Sequence, residues 1–374
     1  EFDWGLETIL GYNDGNKENG EANFPFISCN IIDKSTNEPI SSINPYTIID
    51  YKDFQIGVVG YIGTGLESDI SASRVKDYYF ADPVEYIAKY SKELRNNGCE
   101  MVIALGHDAF DATNTRIAAL SGDNAVDMII NGHTHAVYTR FKTNGNNVSI
   151  PVTQAGTASE CVTETTFDFN KDSNTFGQYT KCKNIDLGNY EIEIDETVDN
   201  MVKRMVAEIA PIMDEKLIVA GKGLSRSSVA SWIADEIYNA VDCDFAAINS
   251  GGVRSSAFPI SEDTSVTVKK IYEIMPFDNL IKVGQFTGQE VINIITTVQE
   301  VFSSNVDLAN NTINGETIDL EKTYTFACVD YLFDRDAVIY DASNDTTIVQ
   351  MLVRDIMIEA LRDLNASGET WVIK

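Results

Sequence analysis

Two short apolar runs that each end in glycine and histidine are the strongest structural constraint in this sequence. The first occupies residues 101–107 and the second residues 128–133. Runs of this length and composition are typical of buried strands that deliver a polar residue at the carboxyl end. A helical pattern over residues 113–121 separates them, so the sequence predicts a β-α-β unit in a layered α/β domain. Open α/β sheets gather ligand-binding side chains at the carboxyl ends of their strands.

All three histidines of the chain lie at these predicted strand ends. His107 ends the first run, and His133 and His135 follow the second, alternating around Thr134. A bent loop after the strand can turn both imidazoles toward one point. Isolated structural histidines would show no such clustering, so we predict a metal site with His107, His133 and His135 as ligands. Imidazole suits Zn²⁺, Mn²⁺ or Co²⁺.

The charge balance restricts the ligands that the chain can bind. A net charge of -29 repels nucleic acid and anionic lipid, so neither is expected as a partner. Phosphate-bearing ligands are repelled too, and a site for them requires local positive charge from metal or arginine. No apolar stretch approaches the length of a membrane span. Six cysteines without a CxxC pair leave open whether Cys161 and Cys182 pair or all thiols stay free.

The pattern changes near residue 195, where we place a domain boundary. Apolar residues recur at helical spacing over 196–215, and Pro211 is expected to kink or end that helix. We predict a first domain over 1–194, a linking helix over 195–216 and a second domain over 217–374. The expected elements of the second domain are helices 228–241, 266–274, 288–302 and 346–364, and strands 245–249, 280–286 and around 323–341.

Several motifs resemble the 5′-nucleotidase family of two-domain metallophosphoesterases, in order and nearly end to end. In the first half these are residues 1–5, residues 23–30, residues 56–60, His107, the Gly-His-Thr-His element at 132–135 and residues 154–156. In the second half they are Asn-Ser-Gly-Gly-Val-Arg at 249–254 and Pro-Phe-Asp-Asn at 276–279. The resemblance implies an amino-terminal metallophosphoesterase α/β sandwich followed by a carboxyl-terminal α/β nucleotide-binding domain.

The resemblance also implies roles in catalysis. Two divalent ions, Zn²⁺, Mn²⁺ or Co²⁺, would activate a hydroxide for phosphate ester hydrolysis. His107 and His133 would bind one ion and His135 the other. Asp3 would orient a catalytic histidine, and it could also serve as a helix N-cap before Trp4, since both roles are compatible.

Three metal motifs of that family, Asp-x-His, Gly-Asp and Gly-Asn-His, precede the position where this chain begins. We therefore expect an amino-terminally incomplete piece of an enzyme that lacks its first strands. Such a chain would hold one ion at most and would be inactive as given. A separate amino-terminal fragment would be its partner.

The substrate-binding residues that the resemblance implies lie in the second half. Arginine side chains, and a glycine turn that lets the backbone approach closely, are suited to binding phosphate, and aromatic rings are suited to stacking on a base. We expect the phosphate to contact the turn and its arginines, the base to stack between two rings, and the ribose to contact Asp336 or Asp334. The turn and arginines are Asn249, Gly251, Gly252, Arg254 and Arg226, and the rings are Phe277 and Tyr331.

Four functions stay open from the sequence. The first is a metal-dependent phosphoric ester hydrolase of the 5′-nucleotidase type. The second is a 2′,3′-cyclic-nucleotide 2′-phosphodiesterase with 3′-nucleotidase activity, and the third is a noncatalytic nucleotide-binding or surface interaction module. The fourth is a relative of the family that acts on a sulfur-bearing or nucleotide-sugar substrate. The resemblance implies an extracytoplasmic location.

Overall fold

The computed structural model describes residues 6–12, 22–70, 72–191 and 193–373. Its contacts divide the chain into two compact units, Glu1–Glu193 and Ile194–Lys374. Asp3 lies outside the described residues. No helix in the described ranges is long and apolar enough to cross a membrane.

The first unit is a mixed α/β structure. Its strands are β1 (Ile31–Asp33), β2 (Glu38–Pro39), β3 (Tyr46–Tyr51), β4 (Phe54–Ile62), β5 (Tyr78–Phe80), β6 (Met101–His107), β7 (Met128–Asn131), β8 (Val137–Thr143), β9 (Ser149–Ala155), β10 (Cys161–Phe167) and β11 (Tyr179–Asp186). Its helices are α1 (Leu6–Gly11), α2 (Ala72–Val75), α3 (Pro83–Asn96) and α4 (Asp111–Ala118).

A six-stranded sheet in the order β3-β4-β6-β7-β9-β8 forms the centre of this unit. β4, β6, β7 and β9 are parallel neighbours, and β3 and β8 run antiparallel at the two edges. The predicted strands before His107 and His133 are therefore confirmed as adjacent parallel strands. Their carboxyl ends lie side by side, because Ile62 is opposite His107 and Gly106 is opposite Asn131.

Helix α3 packs on one face of the sheet, and the sequence shows both where it begins and which side chains it buries. The Asp82 carboxylate accepts a hydrogen bond from the Val84 amide at 3.1 Å, and Pro83 occupies the first turn. Ile87 and Leu94 are fully buried in the core beneath it. Burial of each such side chain contributes about 1.5–3 kcal/mol relative to exposure.

The apolar run over residues 24–32 predicts a strand, and this prediction is mostly wrong. Only Ile31 to Asp33 forms a strand there. The buried Asn30 side chain donates to the carbonyls of Ile62 and Ala81 at 2.7 Å each and accepts from the Ile62 amide at 2.9 Å. The backbone of residues 28–30 also hydrogen-bonds, to the backbones of Asn44, Gly60 and Ala81, but these bonds do not form a continuous strand.

The second unit contains a five-stranded sheet and its covering helices. Its helices are α5 (Glu196–Met213), α6 (Arg226–Ala240), α7 (Val268–Ile274), α8 (Gly288–Thr297), α9 (Asp330–Arg335), α10 (Ala337–Ala342) and α11 (Val353–Ala366). Its strands are β12 (Lys216–Val219), β13 (Phe245–Ile248), β14 (Ser265–Thr267), β15 (Leu280–Thr287), β16 (Val301–Phe302), β17 (Val306–Asp307), β18 (Thr312–Ile313), β19 (Glu316–Thr317), β20 (Thr323–Val329) and β21 (Asn344–Leu352).

The sheet order is β16-β13-β20-β15-β21, and phenylalanines fill the core beside it. The Phe245 and Phe326 rings stack with their centroids 4.6 Å apart, and Phe326 also stacks with Phe333. Offset aromatic pairs of this kind contribute about 0.5–1.5 kcal/mol beyond their buried area.

Two predictions at the end of the chain are wrong. Residues 344–352 form β21 on the edge of the sheet rather than the first half of a helix, because the run from Thr346 to Val349 is β-branched and pairs with β15. Residues 330–342 form two short helices rather than strands. Asp336 starts the second of these by accepting from the amides of Val338 and Ile339.

Helix α5 occupies most of the segment predicted as a linking helix. The Asp195 carboxylate caps it by accepting from the Thr197 and Val198 amides, and the helix ends two residues after Pro211. Most of its apolar side chains, Val198 and Met205 among them, are exposed. Its role as a link between domains stays a prediction.

Candidate functional site

The structure brings two of the three histidines into contact at the carboxyl edge of the parallel strands. Nε2 of His107, at the end of β6, lies 3.3 Å from Nδ1 of His133, in the loop after β7. The two rings are steeply tilted, at 72° with centroids 5.1 Å apart. His135 lies in the same loop with an exposed side chain.

The separation of these two nitrogens fits a metal centre. Zinc–nitrogen bonds of about 2.0–2.1 Å in a tetrahedral site place two ligand nitrogens about 3.3–3.4 Å apart. Among the residues that the structure describes, no group of three or more His, Cys, Asp or Glu side chains is arranged to hold a metal. The pair therefore fits part of a coordination sphere, and the role of all three histidines as ligands stays a prediction.

The backbone of the histidine loop is held in an unusual conformation. His133 has a φ of 77° and His135 a φ of 58°, both in the left-handed region that residues other than glycine seldom adopt. Each such residue costs on the order of 1–3 kcal/mol, and these conformations concentrate at functional sites.

Polar contacts on both sides of the loop hold this conformation. Asn131, buried at the end of β7, accepts from the Tyr61 hydroxyl at 3.2 Å and donates to the Tyr138 hydroxyl at 2.7 Å. The Gln154 amide, buried in β9, donates to the Thr134 hydroxyl at 2.9 Å. Burial raises the pKa of Tyr61 far above its ordinary value, so its hydroxyl keeps the proton that it donates.

Two carboxylates that sequence reasoning missed lie near this edge. Oδ2 of Asp69, on the turn Leu66–Asp69, is 3.7 Å from Nε2 of His133. Asp108, directly after His107, is buried; its Oδ1 accepts from the Phe110 amide at 2.7 Å, and its Oδ2 has no hydrogen-bond partner among the described residues. Only the position of Asp108 beside His107 was visible in the sequence, because Asp69 is brought to His133 by the fold.

In the second unit, the glycine-containing segment after β13 forms a tight 3₁₀ turn over Ser250–Gly252. Nε of Arg226 donates to the Val253 carbonyl at 2.6 Å, and its Nη2 donates to the Ser250 carbonyl. The Glu300 carboxylate accepts from the Ser250 amide at 2.6 Å. Arg226 therefore fixes the turn from one side, a role that the sequence did not suggest.

Arg254 follows this turn and lies over an aromatic ring. Its guanidinium carbon is 4.7 Å from the centre of the Phe277 ring, and the side chain is exposed. The buried Arg354 fixes the Phe277 segment, because its Nη1 donates to the carbonyls of Met275 and Phe277 at 3.1 and 2.7 Å.

The segment that carries Tyr331 is joined to the Phe277 segment. Nδ2 of Asn279 donates to Oδ1 of Asp330 at 3.2 Å, and the same oxygen accepts from the Tyr331 amide at 2.8 Å. Burial raises the pKa of Asp330. The guanidinium of Arg335 lies 5.5 Å from the centre of the Tyr331 ring.

The two candidate ribose ligands have structural partners. Asp336 caps α10, and the buried Asp334 accepts a 2.5 Å hydrogen bond from Nζ of Lys282. The predicted ligand roles of Asn249, Gly251, Gly252, Arg254, Phe277, Tyr331, Arg226 and Asp336 stay predictions.

The second unit matches the family model described as the 5′-nucleotidase C-terminal domain, over residues 208–307. A cell wall protein from Listeria monocytogenes is 23% identical over 354 residues, which cover 83% of this chain and 44% of that protein. A snake venom 5′-nucleotidase from Gloydius brevicauda is 25% identical over 324 residues, covering 77% of this chain and 53% of that protein. The chain thus spans about half the length of these relatives.

The fold has a counterpart among solved structures. The crystal structure of a 5′-nucleotidase precursor from Thermus thermophilus matches with a TM-score of 0.69 and 19% identity, over 97% of this chain and 79% of that chain. The chain shares the fold of that 5′-nucleotidase precursor, so the predicted α/β fold class is confirmed. The predicted resemblance to the 5′-nucleotidase family is confirmed as well.

Proposed function

We propose that this protein hydrolyses nucleotide phosphate esters, as a metal-dependent phosphoric ester hydrolase of the 5′-nucleotidase type. The observation that carries the proposal is the 3.3 Å approach of His107 Nε2 to His133 Nδ1 at the carboxyl edge of the sheet. The family match over residues 208–307 supports a nucleotide as the substrate.

His107 and His133 would hold a divalent ion, with His135 next to them in the loop. When bound, such an ion supplies Lewis acidity that neutralises phosphate charge and lowers the pKa of water. The chain's own contribution is to fix the ligands before binding. The left-handed backbone at His133, the buried Asn131 and the Thr134–Gln154 hydrogen bond hold the imidazoles in place, so little ordering remains to oppose binding.

We propose that the imidazoles of this chain bind one ion, and that the complete enzyme uses two. A pair of nitrogens at tetrahedral ligand separation suits one centre. Titration with Zn²⁺ or Mn²⁺ followed by metal analysis measures the number bound. Two tightly bound ions per chain would contradict this part of the proposal.

The second unit would bind the nucleotide. Arg254 is exposed and has no ion-pair partner among the described residues, on a protein with 57 acidic and 28 basic residues. Its fork of N–H donors suits a phosphate, while Phe277 and Tyr331 offer rings for a base. The hydrogen bond between Asn279 and Asp330 keeps the two ring-bearing segments together.

Calorimetric titration with AMP, adenosine and inorganic phosphate tests this assignment. We expect AMP to bind more tightly than either fragment, because it engages both the arginine and the rings. Phe277→Ala should weaken AMP and adenosine but leave phosphate unchanged. Equal affinity of AMP and phosphate would contradict a nucleotide site.

A second function, noncatalytic nucleotide binding, is favoured by the family match, which lies within the second unit alone. Phosphate release from AMP and from 2′,3′-cyclic AMP by the native protein distinguishes these functions. Release from AMP supports the 5′-nucleotidase, release from the cyclic nucleotide supports the phosphodiesterase with 3′-nucleotidase activity, and binding without release supports the noncatalytic module.

We propose an extracytoplasmic location, secreted or on the cell surface. The names of two relatives, a cell wall protein and a snake venom enzyme, support it. Fractionation of the source cells, with immunodetection of the protein, tests the location, and recovery only from the cytosol would contradict it.

The strongly acidic surface argues against nucleic acid as the substrate.

A further inference from the structure

The two ring nitrogens of His133 have different surroundings. Nδ1 faces Nε2 of His107 at 3.3 Å, whereas Nε2 faces Oδ2 of Asp69 at 3.7 Å. Asp69 therefore approaches the ring on the edge away from the contact with His107. A carboxylate in that position contacts the histidine rather than an ion held between the two imidazoles.

We propose that Asp69 is a positioning residue that keeps the proton of neutral His133 on Nε2 and leaves the Nδ1 lone pair free to bind metal. The inference rests on the proposed function, because it assumes that His133 is a ligand. A neutral imidazole carries one proton, which is most stable on the nitrogen that faces a negative charge. Metal-bound histidines commonly donate their second N–H to a carboxylate, which fixes the tautomer and ring orientation.

The turn that carries Asp69 is anchored to the same edge of the sheet. The Gly63 amide donates to the carbonyl of His107 at 3.1 Å. Leu66 is buried in a small cluster with Ile31 and Phe80, and the Glu67 carboxylate accepts from the Phe80 amide. These contacts hold the turn beside the histidine loop.

Asp69 lies just beyond hydrogen-bond distance of His133. Its side chain is 46% exposed, so it has room to rotate. A hydrogen bond from Nε2 requires a shift of about 0.8 Å, from 3.7 Å to the usual N–H···O distance near 2.9 Å.

The direct test is the tautomer of His133, measured by nitrogen-15 NMR of the metal-free chain labelled only in histidine. With three histidines in the sequence, His107→Asn and His135→Asn variants assign the signals. The spectra are recorded at about pH 8.5, above the usual pKa of a free imidazole. We expect protonated Nε2 and unprotonated Nδ1 for His133, and a loss of that preference in Asp69→Asn, which keeps the side-chain shape and removes the charge.

Asp53→Asn is the matched control, because Asp53 is exposed and precedes β4 at the opposite end of the same sheet. It should leave the tautomer unchanged. Protonated Nδ1 in the unmodified chain, or the same tautomer in Asp69→Asn, would overturn the proposal. Retained chemical shifts elsewhere in the spectrum establish that the variant is folded.

Zinc titration separates this inference from the proposed function. We expect Asp69→Asn to raise the zinc dissociation constant about 10–100-fold, as for other supporting partners of ligands, and Asp53→Asn to leave it unchanged. A larger loss with an unchanged tautomer would make Asp69 a ligand and overturn the positioning role. If the unmodified chain binds no zinc, the proposed metal centre is wrong. The tautomer of His133 in the metal-free chain still tests whether Asp69 positions that histidine.

Discussion

The guanidinium of Arg254 lies over the ring of Phe277, 4.7 Å from its centre, directly after the glycine turn of the second unit. This contact brings an exposed cation next to an aromatic ring. All N–H donors of the arginine remain available, since the contact uses the flat face of the guanidinium. Phosphate and base can therefore be bound by neighbouring side chains.

Replacing Arg254 with glutamine should weaken AMP binding about 10–100-fold, because a charge-assisted hydrogen bond contributes about 1.5–3 kcal/mol. Adenosine, which has no phosphate, should bind as before. Calorimetric titration with both ligands measures the difference. Arg204→Gln, on the exposed surface of α5, removes the same charge elsewhere in the second unit and should have little effect. Equal losses in the two variants would indicate a long-range charge effect.

Replacing Arg226 with alanine should destabilise the second unit by about 1–3 kcal/mol, because the carbonyls of Ser250 and Val253 lose their donors. Arg226→Lys should restore only part of this loss, since an ammonium lacks the planar fork. Urea unfolding measures the stability, and AMP titration measures binding. Full stability with abolished AMP binding would instead support the phosphate-binding role predicted from the sequence.

Replacing Gly106 with alanine should disturb the histidine loop through Tyr61. A methyl group at Gly106 would overlap the buried Tyr61 ring, whose hydroxyl donates to Asn131 at the start of that loop. Overpacking of this kind costs about 1–3 kcal/mol. We expect a lower melting temperature and weaker zinc binding.

The matched control for that variant is Gly11→Ala. Nothing lies within 4 Å of the added methyl group there, and alanine is favoured in a helix. It should leave stability unchanged or slightly higher. Normal zinc binding and stability in Gly106→Ala would show that the Tyr61 contact does not hold the loop.

The ion pair between Glu215 and Arg362 should make the stability of the second unit depend on pH. Nε and Nη2 of Arg362 donate to the Glu215 carboxylate at 2.9 and 2.6 Å, and these hydrogen bonds lower the pKa of Glu215 from its ordinary 4.5. A lowered folded-state pKa adds stability above the unfolded pKa and loses it as pH falls through the folded value. The stabilisation is therefore complete above about pH 4.5.

Urea unfolding of the unmodified chain and Glu215→Gln at a series of pH values measures this dependence. The two should differ at pH 7 and converge as pH falls below about 4.5. A constant difference over the whole pH range would contradict the linkage.

Some elements follow from local sequence pattern alone. Asp82 and Pro83 are typical helix-start residues at the beginning of α3, and the polar Lys52-Asp53 pair lies at the break between β3 and β4. Apolar runs that end in histidine predicted adjacent parallel strands, because a β-α-β pattern has few alternative topologies. The approach of His107 to His133 follows from that arrangement.

The elements and contacts that the sequence did not predict depend on residues that are far apart in the chain. Residues 344–352 were predicted in part as a helix, and the β-branched run within them forms a strand by pairing with β15. Arg226 contacts carbonyls 24 and 27 residues further along the chain, and Asp69 reaches His133 through a turn. No periodicity or motif marks such contacts, so the supporting residues of both sites became visible only in the structure.

Zinc binding by the histidine pair is the most direct test of the proposed metal centre. The measurement is a calorimetric zinc titration of the unmodified chain, His107→Asn and His133→Asn. We expect one ion per chain, and a loss of affinity in each variant greater than the roughly 10–100-fold expected for a supporting residue. Zinc binding that is unchanged in both variants, or absent from the unmodified chain, would contradict this expectation.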